Sequence, residues 1–153
     1  MSCSFLHRVG VLLLCAASLA SYAGNSEISR RTQEAGPTGG TLSVKNLVDA
    51  LRAAGGTVQS EGSVDQPFFA VPAKTINVDG EGVQVFEYPR AAAADAQAAT
   101  VSRDGSQVGT SKPFWIGAPH FYKKANLLVL YLGDDEKVLK LLQSVLGQQF
   151  AGR

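Results

Sequence analysis

The sequence predicts an α+β fold: an antiparallel sheet backed by helices, built from a duplicated helix-plus-hairpin unit and closed by a C-terminal helix. Three observations predict it. Segments 43–56 and 134–147 carry apolar residues at helical spacing between polar caps. Around them lie short β-prone runs punctuated by Gly and Pro. These runs also recur: Pro67-Phe68-Phe69 lies 46 residues before Pro113-Phe114-Trp115, Pro72 lies 47 before Pro119, and Val85-Phe86 lies 44 before Val129-Leu130. Two copies of such a unit make one sheet rather than a solenoid.

Residues 1–23 read as a secretory signal peptide. A short start ends in Arg8, a 12-residue apolar run covers 9–20, and Ser21-Tyr22-Ala23 supplies the small-x-small pattern for cleavage after Ala23. As a helix that run would cover about 18 Å of a hydrocarbon core roughly 30 Å thick, too little to span it. A rival reading makes Cys15 the acylated first residue of a lipoprotein. Leu12 suits that reading, but Leu14 stands where the lipoprotein peptidase takes a small residue. The protein is therefore expected to be periplasmic or secreted, or lipid-anchored through Cys15 in the alternative.

Residues 24–40 are polar, mixed in charge and almost free of large apolar side chains. Such a stretch cannot bury enough surface to offset its conformational entropy, and it reads as a tether reaching on the order of 20–25 Å. The single domain is expected over 41–153.

In the first helix Val44, Leu47, Val48 and Leu51 form one stripe, with Ser43 as N-cap and Gly55-Gly56 as stop. Strands are expected at 57–61, at 66–78 with an interruption at Pro72, and at 83–88 after the turn Asp79-Gly80-Glu81-Gly82. A second helix, 90–101, is nearly all alanine and is expected to lie close to the sheet. The second strand set is 105–110, 113–123 and 127–132. The last helix begins at Asp134-Asp135-Glu136, where acids suit the macrodipole, shows the stripe Val138, Leu141, Leu142, Val145, and ends at Gly147.

Residues 127–132 are apolar on both faces, whereas an antiparallel sheet with helices on one side normally turns a polar face outward. Something must cover the second face: the tether or a bent strand of the same chain, or else a partner surface or dimer interface built from aromatics. Alternation sends Phe114 and Ile116 to one face and Trp115 to the other; if the first pair packs under the helices, Trp115 stands on the aromatic second face.

The chain resembles a family of small exported bacterial proteins, often lipoprotein-like. The resemblance rests on Gln66-Pro67-Phe68-Phe69, the run from Val78 to Tyr88 (VDGEGVQVFEY), Ala118-Pro119-His120-Phe121-Tyr122, Leu130-Tyr131-Leu132-Gly133-Asp134-Asp135, and the ending Leu146 to Gly152. It covers 41–152. It implies export and transfers no activity, and so no catalytic residues.

The composition excludes more than it offers. The chain has 14 Lys+Arg and 13 Asp+Glu, and without Arg8 the two balance, which disfavours a nucleic-acid binder. Both cysteines, Cys3 and Cys15, lie in the signal region, and only His120 follows it among imidazoles, too few for a His/Cys metal site. Asp79-Gly80-Glu81-Gly82 reads as a hairpin turn, not a calcium loop. No Gly pair is followed by the Lys-Ser/Thr of a phosphate loop. No cofactor is expected. The favoured reading is a non-enzymatic envelope protein that binds an unidentified protein or ligand through Phe69, Trp115, His120 and Tyr122. It has no nucleic-acid partner, meets the membrane only through a lipidated Cys15, and leaves a homodimer open. The alternative is a small hydrolase using His120 as general base.

Overall fold

The computed structural model describes residues 40–153. The expected signal peptide, Cys15 and the expected tether up to position 39 lie outside the described residues.

Helix α1 (Val44–Ala53) starts where Ser43 leaves the extended conformation. The Ser43 hydroxyl accepts the Asn46 N–H, and the Asn46 amide oxygen accepts the Ser43 N–H at 2.9 Å, a reciprocal cap. Leu47, Val48 and Leu51 are buried. Gly55 then takes φ 97°, and Arg52 reaches forward to the carbonyl of Val58, joining the helix to β1 (Val58–Val64).

Strands β2 (Ala73–Val78) and β3 (Glu81–Glu87) form a hairpin over Asp79-Gly80. Both turn residues have positive φ, 52° and 100°, the pattern of a two-residue turn matched to strand twist. The short helix α2 (Ala91–Ala98) follows, then a long irregular stretch, then the hairpin β4 (Pro119–Lys124) and β5 (Leu127–Leu132). Helix α3 (Glu136–Leu146) is capped by Asp135, whose carboxylate accepts the N–H groups of Lys137 and Val138. The chain finishes in the two-residue strand β6 (Ala151–Gly152), so a strand and not the last helix closes the order.

The six strands run β1-β2-β3-β5-β4-β6, all antiparallel. The two hairpins meet along β3 and β5, where Val85 faces Val129. Helices α1 and α3 cover one face, packing Leu51, Val138 and Leu142 on Ile76, Val83, Val129 and Tyr131. The opposite face carries Ala73, Phe86, Phe121, Leu128 and Leu130. Phe68 and Phe69, Ala94 of α2, Val108 and Trp115 cover it. Strand β5 is apolar on both faces because both are covered by this same chain.

Three strand expectations are corrected by that cover. Residues 66–72 and 113–118 are not strand, and 105–110 contributes only isolated bridges of Val108 with Val101 and Ser111. The two Pro-aromatic segments leave the sheet plane and fold across its second face, where Phe68 and Trp115 meet edge to face at 5.5 Å. Their prolines lack the N–H a ladder needs, and the rings of Phe68, Phe69 and Trp115 pack onto the second face instead. The spatial repeat does not extend to the helices: α1 packs on one face and α2 on the other.

Candidate binding surface

Residues 112–117 form a loop with a buried side and a bare side. Inside, the Trp115 indole N–H donates to the carbonyl oxygen of Gly105 at 2.8 Å, and its ring packs against Phe68 and, at 6.0 Å, Phe121. Gly105 suits this position because its φ is 70° and any Cβ would press on Pro119, Phe121 and Gly152. At the far end Gly117 lies so close to the Leu132 carbonyl that a side chain there would crowd it, and the Gly133 N–H donates to Ala118. With Trp115 drawn in, its neighbours are driven out: Phe114 is 97% exposed and Ile116 is 91% exposed. Scattered exposed apolar residues are ordinary, but two flanking a pinned tryptophan make a preformed apolar prong.

Beside the prong lies a cleft of about 340 Å³ lined by Asp104, Ser106, Phe114, Trp115 and Arg153, among others. Asp104 Oδ1 accepts from the hydroxyls of Ser102 (2.7 Å) and Ser106 (2.9 Å) and from the Ser106 N–H (3.1 Å). These donors, Ser102 first, hold its carboxyl down at about 2, so it is an anion at neutral pH. Its Oδ2 takes no hydrogen bond among the described residues. The Arg153 backbone is tied down by its N–H to Pro119 and by its carbonyl to the Gln149 amide. Its guanidinium makes no ion pair among the described residues.

The expected site residues do not converge. Phe69 is buried core, edge-on to Phe86 at 4.6 Å. Trp115 shares that face of the sheet but points inward. Tyr122 is buried on the opposite face, under the helices, where loss of solvent pushes its phenol up. His120, two residues before it, is 5% exposed. Its Nδ1 donates to the Gln149 amide oxygen at 2.7 Å, its ring stacks on Tyr131, and Nε2 has no partner among the described residues. The expected surface of Phe69, Trp115, His120 and Tyr122 is therefore corrected. The aromatic face is an interior, because the segments counted as strands are its cover. The placing of Phe114 and Ile116 under the helices is reversed for the same reason.

Other polar groups already have structural work. Asp79 Oδ1 accepts the Thr57 N–H at 2.7 Å, and Oδ2 lies 3.1 Å from Lys137 Nζ. Lys123 pairs with Asp95 of α2, and Lys124 caps the C-terminal end of α3 at the Val145 carbonyl. Among the described residues no group of three His, Cys, Asp or Glu is placed to hold a metal ion.

Compared with family models, curated proteins and solved structures, the chain matches none. The site therefore rests on its own geometry. Sequence reading missed Phe114, Ile116, Asp104 and Arg153. The signal was the frame of Lys112-Pro113 and Gly117 around three consecutive large apolar residues, which marks a loop rather than a strand.

Proposed function

We propose that the protein is a non-enzymatic binding domain of the cell envelope whose contact surface is the 112–117 loop. The observation that carries this reading is the near-complete exposure of Phe114 and Ile116 on a base pinned by Trp115. A solvated loop gains nothing from such a pair, whereas a binding surface gains anchors whose ordering cost is already met in the fold. Export, expected from residues 1–23, would carry the prong into the envelope. The hydrolase alternative finds less support, since His120 is buried, stacked and bonded to an amide rather than to a carboxylate.

The test is retention in envelope fractions after osmotic release, comparing wild type with the doubly substituted Phe114→Asp, Ile116→Asp protein. The wild type should stay with the envelope and the variant should be released, with unchanged thermal unfolding. Equal release of both would overturn the reading.

A further inference from the structure

We infer that the 112–117 loop docks on a phospholipid surface rich in ethanolamine head groups, with Phe114 and Ile116 entering the acyl boundary and Asp104 and Arg153 meeting the head group. This rests on the reading of the prong as the contact surface and names its partner.

Area argues first. Two side chains of this size offer roughly 300–400 Å² per molecule. A second copy meeting prong to prong would thus bury well under the roughly 1,200 Å² of a stable protein–protein interface. A bilayer requires no such complementarity. Apolar side chains that reach about 5–10 Å into the head-group boundary are enough for reversible attachment.

Charge selects the lipid. Residues 40–153 contain 11 Lys+Arg and 11 Asp+Glu, so no cationic field draws the domain to anionic lipid. Lys112 precedes the prong, but exposed Asp134 and Asp135 follow Gly133 on its other flank. Asp104 and Arg153 both line the cleft beside Phe114, one acid and one base, and no ion pair joins them among the described residues. That pair complements a zwitterion. A primary ammonium donates to Asp104 Oδ2, and a phosphate accepts the two-pronged donation of Arg153. A choline head group, having no N–H, cannot make the first of these bonds.

The experiment uses the exported protein with vesicles of phosphatidylcholine alone, with half phosphatidylethanolamine, or with half phosphatidylglycerol. Trp115 is the chain's one tryptophan and lies at the loop, so its emission reports docking alongside co-sedimentation. Ethanolamine vesicles should bind at least about tenfold tighter than the other two, with a blue-shifted Trp115 emission. Phe114→Asp with Ile116→Asp should abolish binding to all three. Asp104→Asn should remove the preference for ethanolamine over choline. Binding that grows with phosphatidylglycerol and vanishes in high salt would overturn the inference as simple charge adsorption. So would self-association that the double substitution removes. No vesicle binding while envelope retention persists would overturn the lipid partner and leave the binding function standing. Loss of both would sink the two together.

Discussion

The Trp115 indole N–H reaches back ten residues to the Gly105 carbonyl, and this bond sets which way three consecutive apolar side chains point. Trp115 goes in; Phe114 and Ile116 go out. Cutting the anchor and cutting the prong should therefore have opposite consequences. Trp115→Ala should cost about 3 kcal/mol in urea unfolding, since it empties the space between Phe68 and Phe121 and leaves the Gly105 oxygen without its donor. Phe114→Ala should change stability by less than about 0.5 kcal/mol. Equal costs would show that the prong packs on something.

Ala125, in the turn between β4 and β5, has φ 50°, a region that a Cβ disfavours. Ala125→Gly should relieve that strain. Thermal unfolding should rise by a few degrees, equivalent to about 0.5–1 kcal/mol after the added entropy of the unfolded chain. A drop in midpoint would mean that the alanine methyl makes a packing contact worth more than the strain.

Helices α1 and α3, strand β5 and the Asp79-Gly80 turn were legible because each rests on local pattern. Ser43 and Asp135 mark the helix starts, the stripe of Leu47, Val48 and Leu51 marks a buried side, and Asp-Gly is turn chemistry whatever surrounds it. The segments 66–72 and 113–118 were not legible. Pro-Phe-Phe and Pro-Phe-Trp-Ile alternate as a strand would. What lifts them off the sheet is the contact of Phe68 with Trp115, 47 positions apart. The site failed to show for the same reason: the outward turn of Phe114 depends on a carbonyl ten residues earlier.

Asp79 joins three elements, accepting the Thr57 N–H before β1 and pairing with Lys137 of α3. The Thr57 bond first, and then Lys137, hold its carboxyl below the usual value of 3.8. A carboxyl lowered in the folded state adds stability that is complete above its unfolded value and is lost as pH falls through its folded value. Asp79→Asn keeps the turn's tolerance of positive φ but removes the charge. The variant should be less stable than wild type at pH 7, and the gap should close as both are titrated below pH 3.8. A gap that persists unchanged in acid would assign the loss to turn geometry instead.

Asn126 is 1% exposed and satisfies three backbone groups at once. Its amide oxygen accepts the Leu42 N–H, and its amide nitrogen donates to the carbonyls of Leu42 and Tyr88. Asn126→Ala strands those groups and should cost about 3–4 kcal/mol, at roughly 1–3 kcal/mol for each buried group left unpaired. The lesion lies beside the start of β5, about 20 Å from the prong at its other end. Binding by the molecules that remain folded should therefore be unchanged. If the folded fraction also lost binding, the two ends of the sheet would have to be coupled.

Gly152 joins the fold's edge to the cleft. Its φ is 106°, and a Cβ built there would collide with the Pro119 carbonyl, so even alanine cannot be accommodated while β6 stays on β4. Gly152→Ala should break the bond from its N–H to Arg103 and the bond from the Arg153 N–H to Pro119, which together place Arg153 at the cleft. Because β6 has only two residues, the loss should stay near the 1–3 kcal/mol typical of a strained backbone position rather than unfold the sheet. The prong itself is held by Trp115 and Gly117 and should survive. Vesicles of either lipid should therefore still bind the variant, but more weakly than they bind wild type, because both carry the phosphate that Arg153 meets, while the preference for ethanolamine, which Asp104 sets, persists. Urea unfolding together with the two vesicle titrations separates these effects. Undiminished binding to both kinds of vesicle by a folded Gly152→Ala protein would remove Arg153 from the head-group contact.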